Sequence, residues 1–221
     1  MKLALFDLDN TLLPIDSDHG WSQFLINKGV LDRAEFEARN DQFYADYKAG
    51  TLNIDEFLDF QLRPLRNNTR AQLAVWHNEF MAEVIRPNIK HSAIELVKKH
   101  QNENAVCVII TATNSFITQP IAQAFGIEAL IATEPELLDG EFTGKVSGIP
   151  SFREGKVTRL NEWLAQKGWT MNSFETSHFY SDSINDLPLL ECVSHPVAAN
   201  PDEKLAGIAK SQGWPVLELF K

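Results

Sequence analysis

Apolar positions along the chain fall into two regimes. Lys2 to Phe6 is a short apolar run without Gly or Pro, the pattern of a buried strand. From Asp16 to about Arg86 no strand-like run occurs. Apolar side chains recur there at helical spacing: Trp21, Phe24 and Leu25; Phe36, Phe43, Tyr44 and Tyr47; Ile54, Phe57, Leu58 and Leu62; Leu73, Val75, Trp76 and Phe80. Breaks at Lys28-Gly29, Ala49-Gly50, Arg63-Pro64 and Arg86-Pro87, with Asn53 and Thr69 as N-caps, divide this stretch into about four helices. From Asn88 onward helices alternate with strands. Strands are predicted at Ala105 to Ile110, Ala129 to Ala132, His178 to Tyr180, Pro196 to Ala198 and Pro215 to Leu219, with a hairpin turning at Asp139-Gly140. The helices between them are expected near Ile89 to His100, Ser115 to Phe125, Gly155 to Lys167, Asn185 to Cys192 and Asp202 to Gln212. Strands separated by helices imply a parallel sheet covered on both faces, so the fold class is α/β. The expected division is a core from 1–14 and 87–221 and an all-helical insertion from 15–86.

Composition adds limits. With 221 residues, 44% hydrophobic and 23% charged, the chain has the make-up of a soluble globular protein. A formal net charge of -10 argues against nucleic acid or an anionic membrane as partner, since both demand a basic surface. Anionic small molecules stay open, because a local cation and oriented amides outweigh a distant acidic surface. Asp7 and Asp9 interrupt the first apolar run, so no signal peptide is read, and no run approaches the roughly 18 apolar residues of a membrane span. A cytoplasmic location is expected. Two cysteines, Cys107 within AVCVII and Cys192, do not indicate a disulfide framework.

Candidate chemistry sits where strands end. Asp7 and Asp9 follow the first strand, and ligands of open α/β sheets bind at that edge. Thr111 ends AVCVIIT, and Ala112, Thr113 and Asn114 lead into a helix whose N-terminus suits an oxyanion. Lys156 opens a helix at the end where its charge opposes the dipole, which calls for a compensating anion. Asp182, Asn185 and Asp186 follow another short strand. Read blandly, the Asp residues bond loop amides, Thr111 caps a helix and Lys156 is solvated. Read together, so many carboxylates around one point need a cation. All the apparent ligands are hard oxygens, so Mg2+ is the natural candidate, and zinc is disfavoured without His or Cys.

DLDNTL, the Thr111 strand end, Lys156 and SDSINDLPLL resemble, in order and spacing, the four motifs of the haloacid dehalogenase-like phosphatases. The similarity spans nearly the whole chain, and the helical insertion resembles the type-1 cap of the phosphoserine phosphatase-like subgroup on a Rossmann-like core. The resemblance implies Asp7 as nucleophile and Asp9 as acid/base, with Thr111 and Lys156 holding phosphoryl oxygens. It further implies a Mg2+ site of Asp7, the backbone carbonyl of Asp9 and Asp182, with Asp186 behind it. The implied partner is a small phosphorylated metabolite, and the implied assembly a monomer or homodimer.

Relative to phosphoserine phosphatases the substrate grip is altered. Their acidic residue after the first motif falls on Asp16, their cap arginine falls near Gln61 with Arg63 two residues on, and their Gly-Gly becomes Ala112-Thr113. Loss of a carboxylate-binding Arg leaves that charge poorly paired. A phosphorylated amino alcohol such as histidinol phosphate is therefore expected, with Asp16 or Asp18 meeting an ammonium and Trp21 or Phe24 facing an imidazole. His19 is a further candidate to approach substrate. Phosphoserine hydrolysis, a phosphotransferase or mutase reaction and a non-catalytic binding protein on the same fold are the alternatives.

Overall fold

In the computed structural model, which describes residues 1–220 apart from the side chain of Lys48, β1 (Lys2–Phe6) lies at the centre of the sheet. The inserted helices follow: α1 (Ser17–Asn27), α2 (Arg33–Ala49), α3 (Ile54–Gln61), α4 (Arg63–Arg66) and α5 (Arg70–Phe80). A π-helical turn, Met81–Ile85, joins α5 to α6 (Arg86–Asn88). Asn53 and Thr69 cap α3 and α5 as the sequence predicts. The break at Arg63-Pro64 is where α3 gives way to α4, and Pro64 sits in the first turn of α4, where its missing N–H costs nothing.

The remainder runs α7 (His91–Asn102), β2 (Ala105–Asn114), α8 (Ser115–Ala124), β3 (Ala129–Leu138), β4 (Glu141–Ser147), α9 (Glu154–Gln166), β5 (Thr176–Ser181), α10 (Leu187–Leu190), β6 (His195–Ala199), α11 (Glu203–Gln212) and β7 (Val216–Leu217). The seven strands are ordered β4-β3-β2-β1-β5-β6-β7, all parallel except β4, which returns antiparallel to β3. Asp139 and Gly140 both take positive φ at that hairpin, the geometry of an Asp-Gly turn. Four spans differ from the sequence reading: β3 runs on from Ala132 to Leu138, β7 is only Val216–Leu217, and two more bear on the site. Strand β2 continues past Ile110 to Asn114, and the helix expected over Asn185 to Cys192 is a 3-10 turn, Ile184–Asp186, followed by the single turn of α10.

Alternate residues of β1 feed two cores. Leu3 and Leu5 pack with Leu160, Leu164, Phe179 and Leu205 on one face; Ala4 and Phe6 pack on the other with Trp21, Phe24 and Phe80 of the insertion. Ile26, Phe36, Phe43 and Phe60 form a third cluster within the inserted helices. Among the described residues, no helix is long and apolar enough to cross a membrane.

His100, 3% exposed, shares a hydrogen bond with the Tyr180 hydroxyl at 2.7 Å from Nε2, and burial and the neighbouring His178 push its pKa down to about 4 from 6.5. A histidine kept neutral in the fold but protonated when unfolded stabilises the fold above its unfolded pKa. That contribution is lost as pH falls from 6.5 towards 4. Urea unfolding at pH 7 and pH 4.5 is expected to show His100→Gln losing less stability on acidification than the parent, by on the order of 2 kcal/mol.

Candidate active site

Three neighbouring strands, β2, β1 and β5, deliver the polar residues to one edge of the sheet. Phe6 pairs with Ile109 on one side and Tyr180 on the other, so Asp7, Thr111 and Asp182, one or two residues further along, reach the same edge side by side, with β2 itself continuing to Asn114. The Asp7 N–H still donates to the Tyr180 carbonyl at 2.9 Å, which fixes the carboxylate to the rigid strand end.

Lys156 lies in the first turn of α9, 3% exposed, with Nζ 2.8 Å from Asp7 Oδ1 and 2.7 Å from the Asp186 carboxylate. Burial alone would weaken its hold on the proton, but Asp186 and Asp7 outweigh it and keep the ammonium charged well above the ordinary range. The compensating anions inferred for a lysine at a helix N-terminus are these two. Burial in turn raises Asp7 to about 6, against the pull of Lys156 and with a push from Asp186. The Ser181 hydroxyl also donates to the Asp186 carboxylate, at 2.7 Å.

The tight approach of α9 depends on Gly155, where a Cβ would sit 2.1 Å from the Pro150 carbonyl oxygen. Gly155→Ala must therefore push the loop and the lysine apart. It is expected to lower stability by about 1–3 kcal/mol, read by thermal melting.

Thr11 links the other acids. Its hydroxyl lies 3.0 Å from Asp7 Oδ2 and 3.2 Å from Asp182 Oδ1 while accepting the Asp182 N–H at 3.0 Å. One hydroxyl proton cannot serve both carboxylates. Burial, with Asp7 and Asp186 nearby, raises Asp182 well above the ordinary carboxylate range. Two hard oxygens that repel each other and share one proton donor fit a divalent cation. Among the described residues no three His, Cys, Asp or Glu side chains form a complete cage. The fit is thus to an ion completed by a main-chain carbonyl, water and substrate oxygens, as magnesium favours.

Asp9 contributes differently from Asp7. Its Oδ1 accepts the Ser17 N–H at 2.7 Å and its Oδ2 the Thr113 hydroxyl at 2.8 Å, so both carboxylate oxygens are held, one from the start of α1 and one from β2. Burial, with Asp16 adding to it, raises its pKa to about 7.

These residues close one end of a cavity of about 460 Å³ whose other walls are Asp18, His19, Asn40, Phe43, Tyr44, Tyr47, Leu52, Ile54, Phe57 and Gln61 from the insertion. Asp7, Asp9, Asp16, Asp18, Thr111, Ala112, Thr113, Lys156, Asn185 and Asp186 all line it. Asn185 accepts from Arg153 Nε at 3.1 Å, and Arg153 also donates to the Gly50 carbonyl at 2.8 Å. With the Tyr47 hydroxyl 2.8 Å from Ser183 Oγ, this ties the end of α2 to the sheet edge.

Four residues named from sequence fall elsewhere. Trp21 is 1% exposed in the core between Phe24, Phe80 and Phe116, so neither it nor Phe24 is a cavity wall. Arg63 pairs with Glu35 at 2.8 Å and stacks over Phe60 on the outside of the insertion. Asn114 turns its Oδ1 to the Ile117 N–H as the N-cap of α8. Sequence reasoning missed Asn40, Phe43, Tyr47, Phe57 and Gln61; helical periodicity marks some of them as apolar but does not say which face meets the cavity.

A family model described as haloacid dehalogenase-like hydrolase matches residues 4–191. The chain is 52% identical over 217 residues to a histidinol-phosphatase of Neisseria meningitidis, covering 98% of each protein. A solved structure of a Bordetella pertussis protein of unknown function superposes with a TM-score of 0.94 at 50% identity over 99% of each chain. A substrate-bound phosphoserine phosphatase structure gives 0.69 at 18% identity, covering 98% of this chain and 92% of that one, a likeness of fold.

Proposed function

The chain belongs to the haloacid dehalogenase-like hydrolase family and is a phosphatase, and from that premise we propose that its substrate is a phosphorylated amino alcohol, histidinol phosphate. One observation carries the choice. The cavity is lined by Asp7, Asp9, Asp16, Asp18, Asp41 and Asp186, and among the described lining residues the one Lys or Arg is Lys156, already held between two acids. A substrate with a carboxylate would find no cation there, and one with an ammonium would find several acids. The apolar walls Phe43, Leu52, Ile54 and Phe57 suit a ring, and the Neisseria relative's name points the same way.

In the proposed reaction Asp7 attacks phosphorus and the bond to the ester oxygen breaks, leaving an aspartyl-phosphate. Asp9, whose raised pKa keeps it substantially protonated near neutrality, gives its proton to the departing alkoxide. The resulting carboxylate takes a proton from water, which attacks phosphorus and returns Asp7. Lys156 and Thr111 hold phosphoryl oxygens, and the main-chain amides after Thr111 add donors. The family generally uses Mg2+; here Asp7, Asp182 and the Asp9 carbonyl would hold it, and when bound it supplies charge neutralisation to the phosphoryl group. Residues 15–86 act as a cap over the core of 1–14 and 87–221, excluding water.

The test is phosphate release from a panel of phosphorylated amino alcohols, amino acids, sugars and nucleotides. Histidinol phosphate is expected to exceed phosphoserine in kcat/KM by about 100-fold or more, with activity lost on chelation. Equal turnover of the two would overturn the substrate, and transfer to an added alcohol in preference to water would replace hydrolysis by phosphotransfer.

A further inference from the structure

The insertion contributes polar side chains of its own to the cavity wall. Asp18, in the first turn of α1, is 5% exposed, and its Oδ1 has no hydrogen-bond partner. Asn40, midway along α2, is 6% exposed, and its Nδ2 likewise has none. Both line the cavity. Buried polar atoms are nearly always paired, so two exceptions in one cavity, one an acidic acceptor and one a neutral donor, point to a ligand carrying the complements.

The Asn40 amide is not free to turn. Its Oδ1 accepts from Gln61 Nε2 at 3.1 Å, and Gln61 Oε1 accepts from the Ser22 hydroxyl at 3.0 Å. This relay across α1, α3 and α2 fixes the orientation of the amide and leaves Nδ2 as its unpaired end. Asp16, the acid that stands where the family resemblance expects an amine-binding carboxylate, is exposed and caps α1 through the His19 N–H at 2.9 Å.

We propose that Asp18 and Asn40 form a leaving-group subsite that reads two features at once: Asp18 pairs with the ammonium of an amino alcohol, and the Asn40 amide donates to an acceptor nitrogen of its heteroaromatic ring. The assignment rests on the phosphorylated amino alcohol reading above. It makes Asp18, not Asp16, the specificity-determining acid.

Magnesium-loaded enzyme is assayed on three probes: histidinol phosphate, ethanolamine phosphate with an ammonium but no ring, and phenyl phosphate with neither ammonium nor ring nitrogen. Asp18→Asn is expected to lower the kcat/KM ratio of histidinol phosphate to phenyl phosphate about 100-fold, chiefly through KM, and to weaken inhibition by histidinol in parallel. It is also expected to raise the melting temperature of the free protein, since a buried acid without a partner disappears. Asn40→Leu is expected to lower the ratio of histidinol phosphate to ethanolamine phosphate about tenfold. Asp18→Ser repeats the first ratio should the Asn variant not fold. Unchanged ratios, or equal losses on all three probes, overturn the subsite while parent turnover of histidinol phosphate leaves the functional reading intact. A parent enzyme that prefers phenyl phosphate overturns both.

Discussion

Asp7→Asn is expected to fold normally and to release phosphate at least about four orders of magnitude more slowly than the parent, because the variant has no nucleophile to accept the phosphoryl group. The geometry says why folding survives. An Asn carbonyl oxygen can still accept from Lys156, as Asp7 Oδ1 does at 2.8 Å, and its amide can donate to the Thr11 hydroxyl oxygen where Oδ2 now accepts. One acid also leaves a cluster in which burial and mutual repulsion already push Asp7 to about 6 and Asp182 upward. Stability is therefore expected within about 1 kcal/mol of the parent, on either side. Parallel phosphate-release and thermal-melting measurements check both halves. Substantial residual turnover in a verified Asp7→Asn sample would take Asp7 out of the chemistry.

Lys156→Met is expected to have the opposite balance, losing both activity and stability. Removing the ammonium leaves Asp7 and Asp186 buried with no cation between them, and breaking a buried pair in this way costs about 3–5 kcal/mol. The sign of the pH dependence follows. Without the lysine, a buried carboxyl titrates above its unfolded value, so the fold is favoured when the acid is neutral and loses that advantage as pH rises through the folded pKa. The gap between Lys156→Met and the parent should accordingly widen from pH 5 to pH 8 in urea unfolding. Adding Asp7→Asn to Lys156→Met should recover part of the loss, with a coupling of about 1–3 kcal/mol. A constant gap and strict additivity would mean that the three side chains do not act as one charged unit.

The gathering of the site's residues was legible because it is local. Asp7, Thr111 and Asp182 each stand at the last residues of an apolar run, and parallel pairing in register is enough to bring such ends together. Lys156 stood out for a placement that is unfavourable unless an anion compensates, and two do. The cavity walls were not legible, because they depend on how helices cross. Trp21 and Phe24 share an apolar stripe with Leu25, and sequence cannot say that this stripe packs on Phe80 while Phe43 and Phe57 of later helices line the cavity. Arg63 misled for the same reason: one step of register along the bundle decides whether it meets substrate or Glu35. Strand β2 outran its expected end because Thr111 to Asn114 are mostly polar, yet the backbone stays extended until Asn114 meets Thr133. Asp9 was correctly placed beside Asp7 in sequence, but its side chain is claimed by Ser17 and Thr113, a pairing across 104 residues in the second case.

The most direct test of the phosphoryl route is rapid acid quench of the magnesium-loaded enzyme mixed with histidinol phosphate labelled in its phosphoryl group, followed by peptide mapping. The account predicts a burst of alcohol ahead of free phosphate, with label on the N-terminal peptide at Asp7 and none in Asp7→Asn. Label on another residue, or single-turnover hydrolysis with no labelled protein at any time, would contradict it.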